Sequence, residues 1–239
     1  MAYELYYWTG IQGRGEFVRL ALEDAGADYI DVARQEGDGA MDRLLEDPRT
    51  TTPSFAPPFL RDGEVLVGQT SAILMYLGPK LGLVPADERL RLWAHQIQLT
   101  IADAVVEAHD AHHPIGAGRY YDEQKPESKR RAAEFRADRM PKFLDWFETI
   151  LSRNPAGDGH LVGAETSYAD LSLFQLVEGL TYAFPRRMRS LAPDYPKTIA
   201  LRDAVARRPR LKAYLTSKRR VPFNTYGIFR HYPELDAAD

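Results

Sequence analysis

The stretch Tyr3-Glu4-Leu5-Tyr6-Tyr7-Trp8, followed by Gly10-Ile11-Gln12-Gly13-Arg14-Gly15, decides the fold of this chain. The first part predicts a short strand that ends at a tyrosine, and the apolar spacing after Arg14 predicts a helix. A phenol at a strand end, an arginine and the free N–H groups of a first helical turn can together hold an anion such as a thiolate. The chain contains no cysteine, so that thiolate must arrive on a ligand.

The composition is that of a globular protein. The chain has 239 residues, of which 44% are hydrophobic and 27% charged, which is typical of one or two soluble domains. The lack of cysteine excludes disulfides, thiolate metal sites and a cysteine nucleophile. A formal net charge of −3 gives no support for a nucleic-acid partner. We expect a cytoplasmic protein with no membrane partner, because the N-terminus does not resemble a signal peptide and no apolar run reaches roughly 20 residues.

The first third of the chain predicts alternating strands and helices. The helix after the first strand is expected to end at Gly26, and residues 29–32 predict a second strand, so the two strands form a parallel crossover unit. Residues 33–57 predict a surface loop with one short helix at residues 41–45. A hairpin around Asp62-Gly63 follows. The next helix is expected to begin at Gln69-Thr70 and to end near Gly78-Pro79.

The rest of the chain predicts helices. Helical periodicity runs from Pro85 to about Tyr214, so the fold class is α/β plus all-α, with a small domain over residues 1–80 and an all-helical domain over residues 86–239. Ser167-Tyr168-Ala169-Asp170 predicts a capping box at a helix start. The aromatic tail, residues 221–239, is expected to fold back over the body.

Short motifs in both halves of the chain resemble those of the cytosolic glutathione transferases. They are Leu5-Tyr6-Tyr7-Trp8, Gly13-Arg14-Gly15-Glu16, Arg19-Leu20, Pro57-Pro58-Phe59-Leu60-Arg61-Asp62-Gly63, Gln69-Thr70-Ser71-Ala72-Ile73, Tyr76-Leu77, Ile101-Ala102-Asp103 and Ser167 to Asp170. The first of them is similar to the tyrosine-type classes (alpha, mu, pi and sigma). The resemblance implies a thioredoxin-like domain that binds glutathione, an all-helical domain with a second-substrate pocket, a homodimer, and no cofactor apart from glutathione as co-substrate.

The resemblance implies a catalytic tyrosine. A free cysteine thiol has a pKa of about 8.5, so the enzyme must stabilise the thiolate, and a phenol that donates a hydrogen bond to sulfur does so. Strand alternation sends Tyr6 and Tyr7 to opposite faces, and the family pattern of Leu, any residue, Tyr and an aromatic residue favours Tyr7. Arg14 stands where the alpha and pi classes carry a supporting arginine, although one extra residue separates it from the tyrosine. Trp8, next to Tyr7, is assigned to the glutathione site.

A proline pair stands where the family binds the cysteinyl part of glutathione. The family uses the backbone N–H and C=O of the residue before a cis-proline for this contact. If Pro58 is the cis residue, Pro57 has no N–H to donate; if the Ala56–Pro57 bond is cis, both groups are present on Ala56. We expect the second arrangement, with Ala56 and Pro57 in the glutathione site.

The other glutathione contacts follow from the same resemblance. Gln69 and Thr70 match the family's pair that holds the γ-glutamyl carboxylate, at a helix N-terminus with free N–H groups. Asp103 matches an acid that reaches the γ-glutamyl ammonium of the neighbouring subunit. For the glycine carboxylate, Arg43 is the first candidate and Arg34 the second.

The second substrate and the reaction type are less defined. We expect attack of the thiolate on an electrophilic, hydrophobic substrate, with Ile11, Gln12 and the aromatic tail in the pocket wall. Glutathione-dependent isomerisation or peroxide reduction, or a non-catalytic binding protein on the same scaffold, are the alternatives. The histidines of residues 109–113 are also expected in the pocket wall. We expect no metal, because His109 and His113 have no obvious third ligand.

Overall fold

The computed structural model describes residues 2–237, and Met1, Ala238 and Asp239 lie outside the described residues. The strands in this part of the chain are β1 (Tyr3–Tyr6), β2 (Tyr29–Asp31), β3 (Phe59–Asp62) and β4 (Val65–Gly68). The helices are α1 (Gly15–Ala25), α2 (Val32–Glu36), α3 (Gly39–Leu45), α4 (Thr70–Leu81), α5 (Glu88–Asp110), α6 (Lys125–Glu134), α7 (Met140–Arg153), α8 (Tyr168–Ala183), α9 (Pro185–Leu191), α10 (Pro196–Ala206) and α11 (Pro209–Leu215).

The strands form one sheet in the order β2-β1-β3-β4. β1 pairs in parallel with β2, as predicted for a crossover through α1, and β3 and β4 form the predicted antiparallel hairpin. Gly63 in the hairpin turn has φ of 60°, a conformation that glycine adopts without steric cost. Strand β1 lies between β2 and β3, so its C-terminal end is in the middle of the sheet.

Each face of the sheet has its own apolar core, because successive residues of β1 point to opposite sides. Leu5 packs with Val18 and Leu22 of α1 and Ile73 of α4. Tyr6 packs on the other side, in a cluster that includes residues of α2 and α3. These two cores fix the end of β1 between α1 and the short helices.

Two details of this half differ from the prediction. The segment expected to hold one short helix holds two, because α2 begins directly at the end of β2. The helix expected to end near Gly78-Pro79 continues to Leu81 and ends at Gly82, which has φ of 68° and whose N–H binds the carbonyl of Gly78. Pro79 therefore lies inside α4. The next helix begins at Glu88, and the division into domains of residues 1–80 and 86–239 stays a prediction.

In the helical half of the chain, α8 is buried on almost every side. The predicted capping box at its start is confirmed: the backbone N–H and the hydroxyl of Ser167 both donate to Asp170 Oδ2 at 2.7 Å. The N–H of Leu161 donates to the other oxygen at 2.7 Å, so the loop before α8 is held to the same buried carboxylate. Helix α8 in turn contacts α1, α5 and α10.

The tail folds back over the helical body as predicted, up to residue 237. The ring of Phe223 stacks on Tyr182 with centroids 4.9 Å apart, and that of Tyr232 stacks on Tyr121 at 3.8 Å. Phe229 is buried against α8. Among the described residues, none of the helices has the length and apolar character needed to cross a bilayer.

Candidate active site

Tyr7 follows the last residue of β1 and is only 4% exposed. Its neighbour Tyr6 stacks on Phe59 with ring centroids 4.8 Å apart and donates its hydroxyl to Glu4 at 2.9 Å. Tyr6 is therefore a core residue of the sheet. Tyr7 turns to the other side and faces the start of α1.

The loop before α1 is built around the ring of Tyr7. The backbone N–H of Arg14 donates to the Tyr7 hydroxyl oxygen at 2.8 Å. A Cβ atom on Gly13 would lie 2.0 Å from that oxygen, and a Cβ on Gly15 would lie 2.5 Å from the ring. Gly13 also has φ of 46°. The phenol of Tyr7 thus contacts the start of α1 despite the extra residue between Tyr7 and Arg14.

Burial and positive charge act in opposite directions on the phenol. Burial raises the pKa of Tyr7, while the amides of Arg14 and Gly15 and the charges of Arg14 and Arg19 lower it, and the net shift is upward. The guanidinium of Arg19 lies 5.8 Å from the ring centroid. Tyr7 is therefore a neutral hydrogen-bond donor near pH 7. Its hydroxyl accepts one bond and donates to no group among residues 2–237, so its proton is available to a ligand.

The buried Arg19 belongs to a charged network beneath Tyr7. Its Nε donates to Asp31 at 2.7 Å, and its Nη1 lies 3.6 Å from Glu16. Glu16 also accepts the hydroxyl of Tyr214 at 3.0 Å and faces Arg220 at 3.4 Å. Because the network joins α1 to β2, α11 and the segment just before the tail, it fixes the first helix below the phenol.

The guanidinium of Arg14 makes no hydrogen bond or ion pair with residues 2–237. It lines a cavity of about 20 Å³ together with Thr70 and Gln98, at the starts of α1 and α4 and the side of α5. The buried Oε1 of Gln98 has no hydrogen-bond partner there, and the space suits about one water molecule. Sequence reasoning missed Gln98. The sequence pattern that could have indicated Gln98 is a polar residue within an apolar helical stripe, three residues before Ile101.

Gln69 and Thr70 stand at the start of α4, next to this cavity. Gln69 has φ of 64°, and no other non-glycine residue among residues 2–237 has a positive φ. Such a backbone outlier is typical of functional sites. The hydroxyl of Thr70 donates to the carbonyl of Arg14 at 3.5 Å, so the start of α4 adjoins the start of α1. The structure thus brings Tyr7, Arg14, Gln69 and Thr70 into one region with two helix N-termini.

The cis peptide bond lies between Pro57 and Pro58, which corrects the expected cis bond between Ala56 and Pro57. The expectation rested on the need for an N–H before the cis-proline. The structure places the cis bond one residue later, directly before β3, with Pro58 buried and Ala56 exposed. Pro57 precedes the cis residue and offers a carbonyl but no N–H.

The other predicted contacts lie at the surface. Trp8 is 40% exposed, and the exposed Arg43 pairs with Glu36 at 2.8 Å. Arg34 donates to the backbone carbonyls of residues 218 and 219, so it holds the chain before the tail. Asp103 is exposed on α5 and has no partner among residues 2–237. A role for these residues in binding glutathione stays a prediction.

A second pocket lies between the end of α5 and the tail. It has a volume of about 540 Å³, and its wall includes His113, Tyr121, Tyr226, Arg230 and Tyr232. His113 and the aromatic tail therefore line a pocket, and their expected role in binding the second substrate stays a prediction. Gln12 does not line it: Gln12 is buried, donates to the carbonyl of Val221 at 2.6 Å and accepts from Gln175 at 2.8 Å.

Comparisons with known proteins identify the family. The family model described as "Glutathione S-transferase, C-terminal domain" matches residues 109–218. A relative named "Glutathione S-transferase P" from Capra hircus is 30% identical over 233 residues, which cover 95% of this chain and 98% of the relative. The chain belongs to the cytosolic glutathione transferase family. A "Glutathione S-transferase" from Plasmodium falciparum is 23% identical over 220 residues, covering 90% of this chain and 95% of the relative.

The fold of this glutathione transferase is also that of solved structures. A Pi-class glutathione S-transferase from Onchocerca volvulus has a TM-score of 0.69 at 22% identity, covering 90% of this chain and 92% of the other. The predicted resemblance is confirmed, and so is the fold class of a thioredoxin-like domain followed by an all-helical domain. The chain is thus a member of an enzyme family, and its candidate active site is the region around Tyr7.

Proposed function

We propose that this glutathione transferase activates glutathione through the hydroxyl of Tyr7, for attack on an electrophilic, hydrophobic substrate. The observation that carries the proposal is the 2.8 Å hydrogen bond from the Arg14 N–H to the Tyr7 oxygen. Because the hydroxyl accepts this bond and donates to no group among residues 2–237, its proton can point at a sulfur. The raised pKa of Tyr7 keeps that proton in place near pH 7.

The chemistry follows from the charges around the phenol. A hydrogen bond from Tyr7, the positive charge of Arg14 and the N–H groups at the start of α1 all favour a thiolate over a thiol. The thiol proton leaves to solvent. The electron pair of the sulfur then forms a bond to an electrophilic carbon, and the leaving group departs with its own electron pair.

The rest of glutathione binds along the edge formed by α4 and the loop before β3. Gln69 and Thr70 hold the γ-glutamyl carboxylate at the N-terminus of α4, where free N–H groups favour an anion. The carbonyl of Pro57 accepts the N–H of the cysteinyl residue. Trp8 and Arg43 lie on the side of the glycine carboxylate, and Ala56 borders the loop.

The second substrate binds in the pocket between the end of α5 and the tail. The stacked rings of Tyr121 and Tyr232 give this pocket aromatic wall area. The same wall carries three basic side chains and two acidic ones, and its formal charge is therefore positive: Arg119, Lys125, Arg230, Asp122 and Glu234. This combination suits an apolar electrophile whose leaving group or carbonyl carries negative charge.

The protein acts as a homodimer through the outer face of α4 and α5. Leu92, Leu99 and Val106 are exposed and seven residues apart, so they form one stripe on α5. Met75 of α4 is also exposed, and Phe55 is 94% exposed. An apolar stripe of this kind is typical of a protein interface. Asp103, three residues before Val106, would then face the partner subunit and its glutathione.

Light scattering after size-exclusion chromatography tests the dimer. The wild type is expected at twice the mass of the chain, and Leu99→Glu at the mass of one chain, because a charge on the stripe loses its water on association. Lys212→Glu, exposed on α11, is the control that keeps the dimer. A monomeric wild type contradicts the proposal.

Tyr7→Phe tests the catalytic assignment. The loss of one hydrogen bond to a charged sulfur costs about 1.5–3 kcal/mol, so conjugation of a chlorodinitrobenzene-type substrate should slow by roughly 10- to 100-fold. The pKa of bound glutathione, measured by thiolate absorbance, should rise by about 1–2 units. Tyr6→Phe, which also loses only one hydroxyl, should keep the rate. An unchanged rate and thiol pKa in Tyr7→Phe would refute the role of Tyr7.

A further inference from the structure

Three histidines converge at the end of α5. His109 lies in the last turn, and the N–H groups of His112 and His113 both bind its carbonyl, at 3.1 and 3.2 Å. The chain thus keeps a helical course past Asp110, so positions i, i+3 and i+4 share one face. The ring centroids are 4.7–5.1 Å apart, and one nitrogen from each ring lies within 4.8 Å of the others.

The far nitrogens of two of these rings face oxygen acceptors. His112 Nε2 lies 2.7 Å from the carbonyl of Ile228 in the tail, so it carries the proton and leaves the lone pair on Nδ1. That Nδ1 accepts a hydrogen bond from Nδ1–H of His113 at 2.5 Å, so a metal ion would bind His113 through Nε2 or displace this proton. His109 Nδ1 lies 3.5 Å from the carboxylate of Asp110. Metal-bound histidines have this arrangement, with the second ring nitrogen donating to a carbonyl or a carboxylate.

The three rings lie in a largely buried setting with charged neighbours. His112 and His113 are buried and His109 is half-buried. Arg230 faces all three rings and Arg14 faces His109, and both charges act against a bound cation. The negative charge of Asp110, next to His109, favours a bound cation. Neutral imidazoles bind late first-row transition metals, whereas Mg²⁺ and Ca²⁺ need oxygen ligands.

We propose that His109, His112 and His113 form a binding site for a divalent transition metal such as Zn²⁺, with a fourth coordination position that no side chain among residues 2–237 fills. The expectation of no metal rested on the lack of a third ligand, and His112 supplies that ligand. Three histidines and an open position are a known zinc arrangement. Because His113 also lines the pocket between α5 and the tail, the open position borders that pocket. The site does not depend on the role proposed for Tyr7.

Metal titration of the tag-free protein tests the site. Zn²⁺ binding is followed by calorimetry and Co²⁺ binding by visible absorbance, which reports the geometry of the ligands. The wild type is expected to bind one ion per chain. His112→Gln keeps a donor for the Ile228 carbonyl but lacks the Nδ1 ligand, so its dissociation constant should rise by more than about 10-fold.

Two further variants make the result decisive. His109→Ala removes the most exposed of the three rings and should weaken metal binding as much as His112→Gln. It therefore tests the site even if circular dichroism shows that His112→Gln folds poorly. His95→Ala removes a histidine of the same helix, outside the cluster, and should bind like the wild type. The proposal is overturned if the wild type shows no saturable binding, or if His109→Ala binds as tightly as His95→Ala.

Discussion

At the scale of single residues, two glycines determine where the phenol of Tyr7 lies. Gly13 and Gly15 leave room for the ring on both sides of Arg14, whose N–H binds the hydroxyl. Any side chain at Gly13 would occupy the position of the Tyr7 oxygen. The two glycines of the pattern Gly-Arg-Gly are therefore needed to make room for the tyrosine ring as well as to start the helix.

Gly13→Ala should slow the enzyme strongly and destabilise it. The positive φ alone costs about 1–2 kcal/mol for a residue with a Cβ, and the 2.0 Å approach to the Tyr7 oxygen forces the ring or the loop to move. We expect a fall in conjugation rate comparable to that of Tyr7→Phe, together with a lower urea midpoint. Gly10→Ala, where a Cβ meets no atom within 4 Å, is the control. If both variants behave alike, steric contact with Tyr7 does not determine the conformation of the loop before α1.

The sequence predicted the opposite orientations of Tyr6 and Tyr7 better than it predicted the residues around them. The two-residue period of a strand separates Tyr6 from Tyr7, and the structure shows that separation. The choice between Pro57 and Pro58 was wrong, because both are X–Pro bonds and only the position of β3 distinguishes them. Gln98 was missed because its importance comes from the neighbouring Arg14 and Thr70, which are far away along the chain.

At the scale of elements, α8 depends on one buried carboxylate. Asp170 accepts three hydrogen bonds, from the N–H of Leu161 and from the N–H and hydroxyl of Ser167. The carboxylate is fully buried, so water cannot easily replace these bonds. The capping box thus holds both the start of the central helix and the loop before it.

Asp170→Ala should lower the free energy of unfolding by about 3–5 kcal/mol, because it leaves several buried donors without an acceptor. Asp87→Ala is the matched control. Its carboxylate caps α5 with one bond to the N–H of Leu90 at 3.1 Å, near the surface, so its loss should cost about 1 kcal/mol. Urea unfolding at one fixed protein concentration measures both. Equal costs would show that the buried network adds nothing to the cap.

Elements with a strong local pattern were predicted well, and weak ones were not. The hairpin, the capping box and the long helices each carry a signal within a few residues. Helix α2 has five residues, too few for a helical period to show. The end of α4 was placed too early because Pro79 suggested a stop, whereas the left-handed Gly82 ends the helix.

At the scale of the whole molecule, the tail and α11 connect the two halves of the fold. Gln12 donates to the carbonyl of Val221, and Arg208 donates to both carboxylate oxygens of Asp24 through its Nε and Nη2 atoms. Tyr214 reaches Glu16 beneath Tyr7. These contacts join residues about two hundred positions apart, and no local pattern in the sequence could indicate them. The contact between His112 and the carbonyl of Ile228 in the tail also joins residues far apart in the sequence, so no local pattern could indicate it.

The docking of the tail on α8 depends on the contact between Gly179 and Phe229. A Cβ at Gly179 would lie 2.3 Å from the ring of Phe229, which is 3% exposed. Alanine in place of a helical glycine normally stabilises a protein by about 1 kcal/mol. Here Gly179→Ala should destabilise it, since the ring must move. The exposed bonds after Lys218 and Arg219 should then become more sensitive to trypsin.

A double-mutant cycle separates the steric contact from helix propensity. Phe229→Ala alone should cost about 3–5 kcal/mol through loss of the buried ring. In that background Gly179→Ala should be neutral or stabilising, because the space of the ring is free and only the propensity remains. Unfolding midpoints and trypsin cleavage rates of the four proteins give the coupling. A cost of Gly179→Ala that is the same with and without Phe229 would mean that the tail does not dock through this contact.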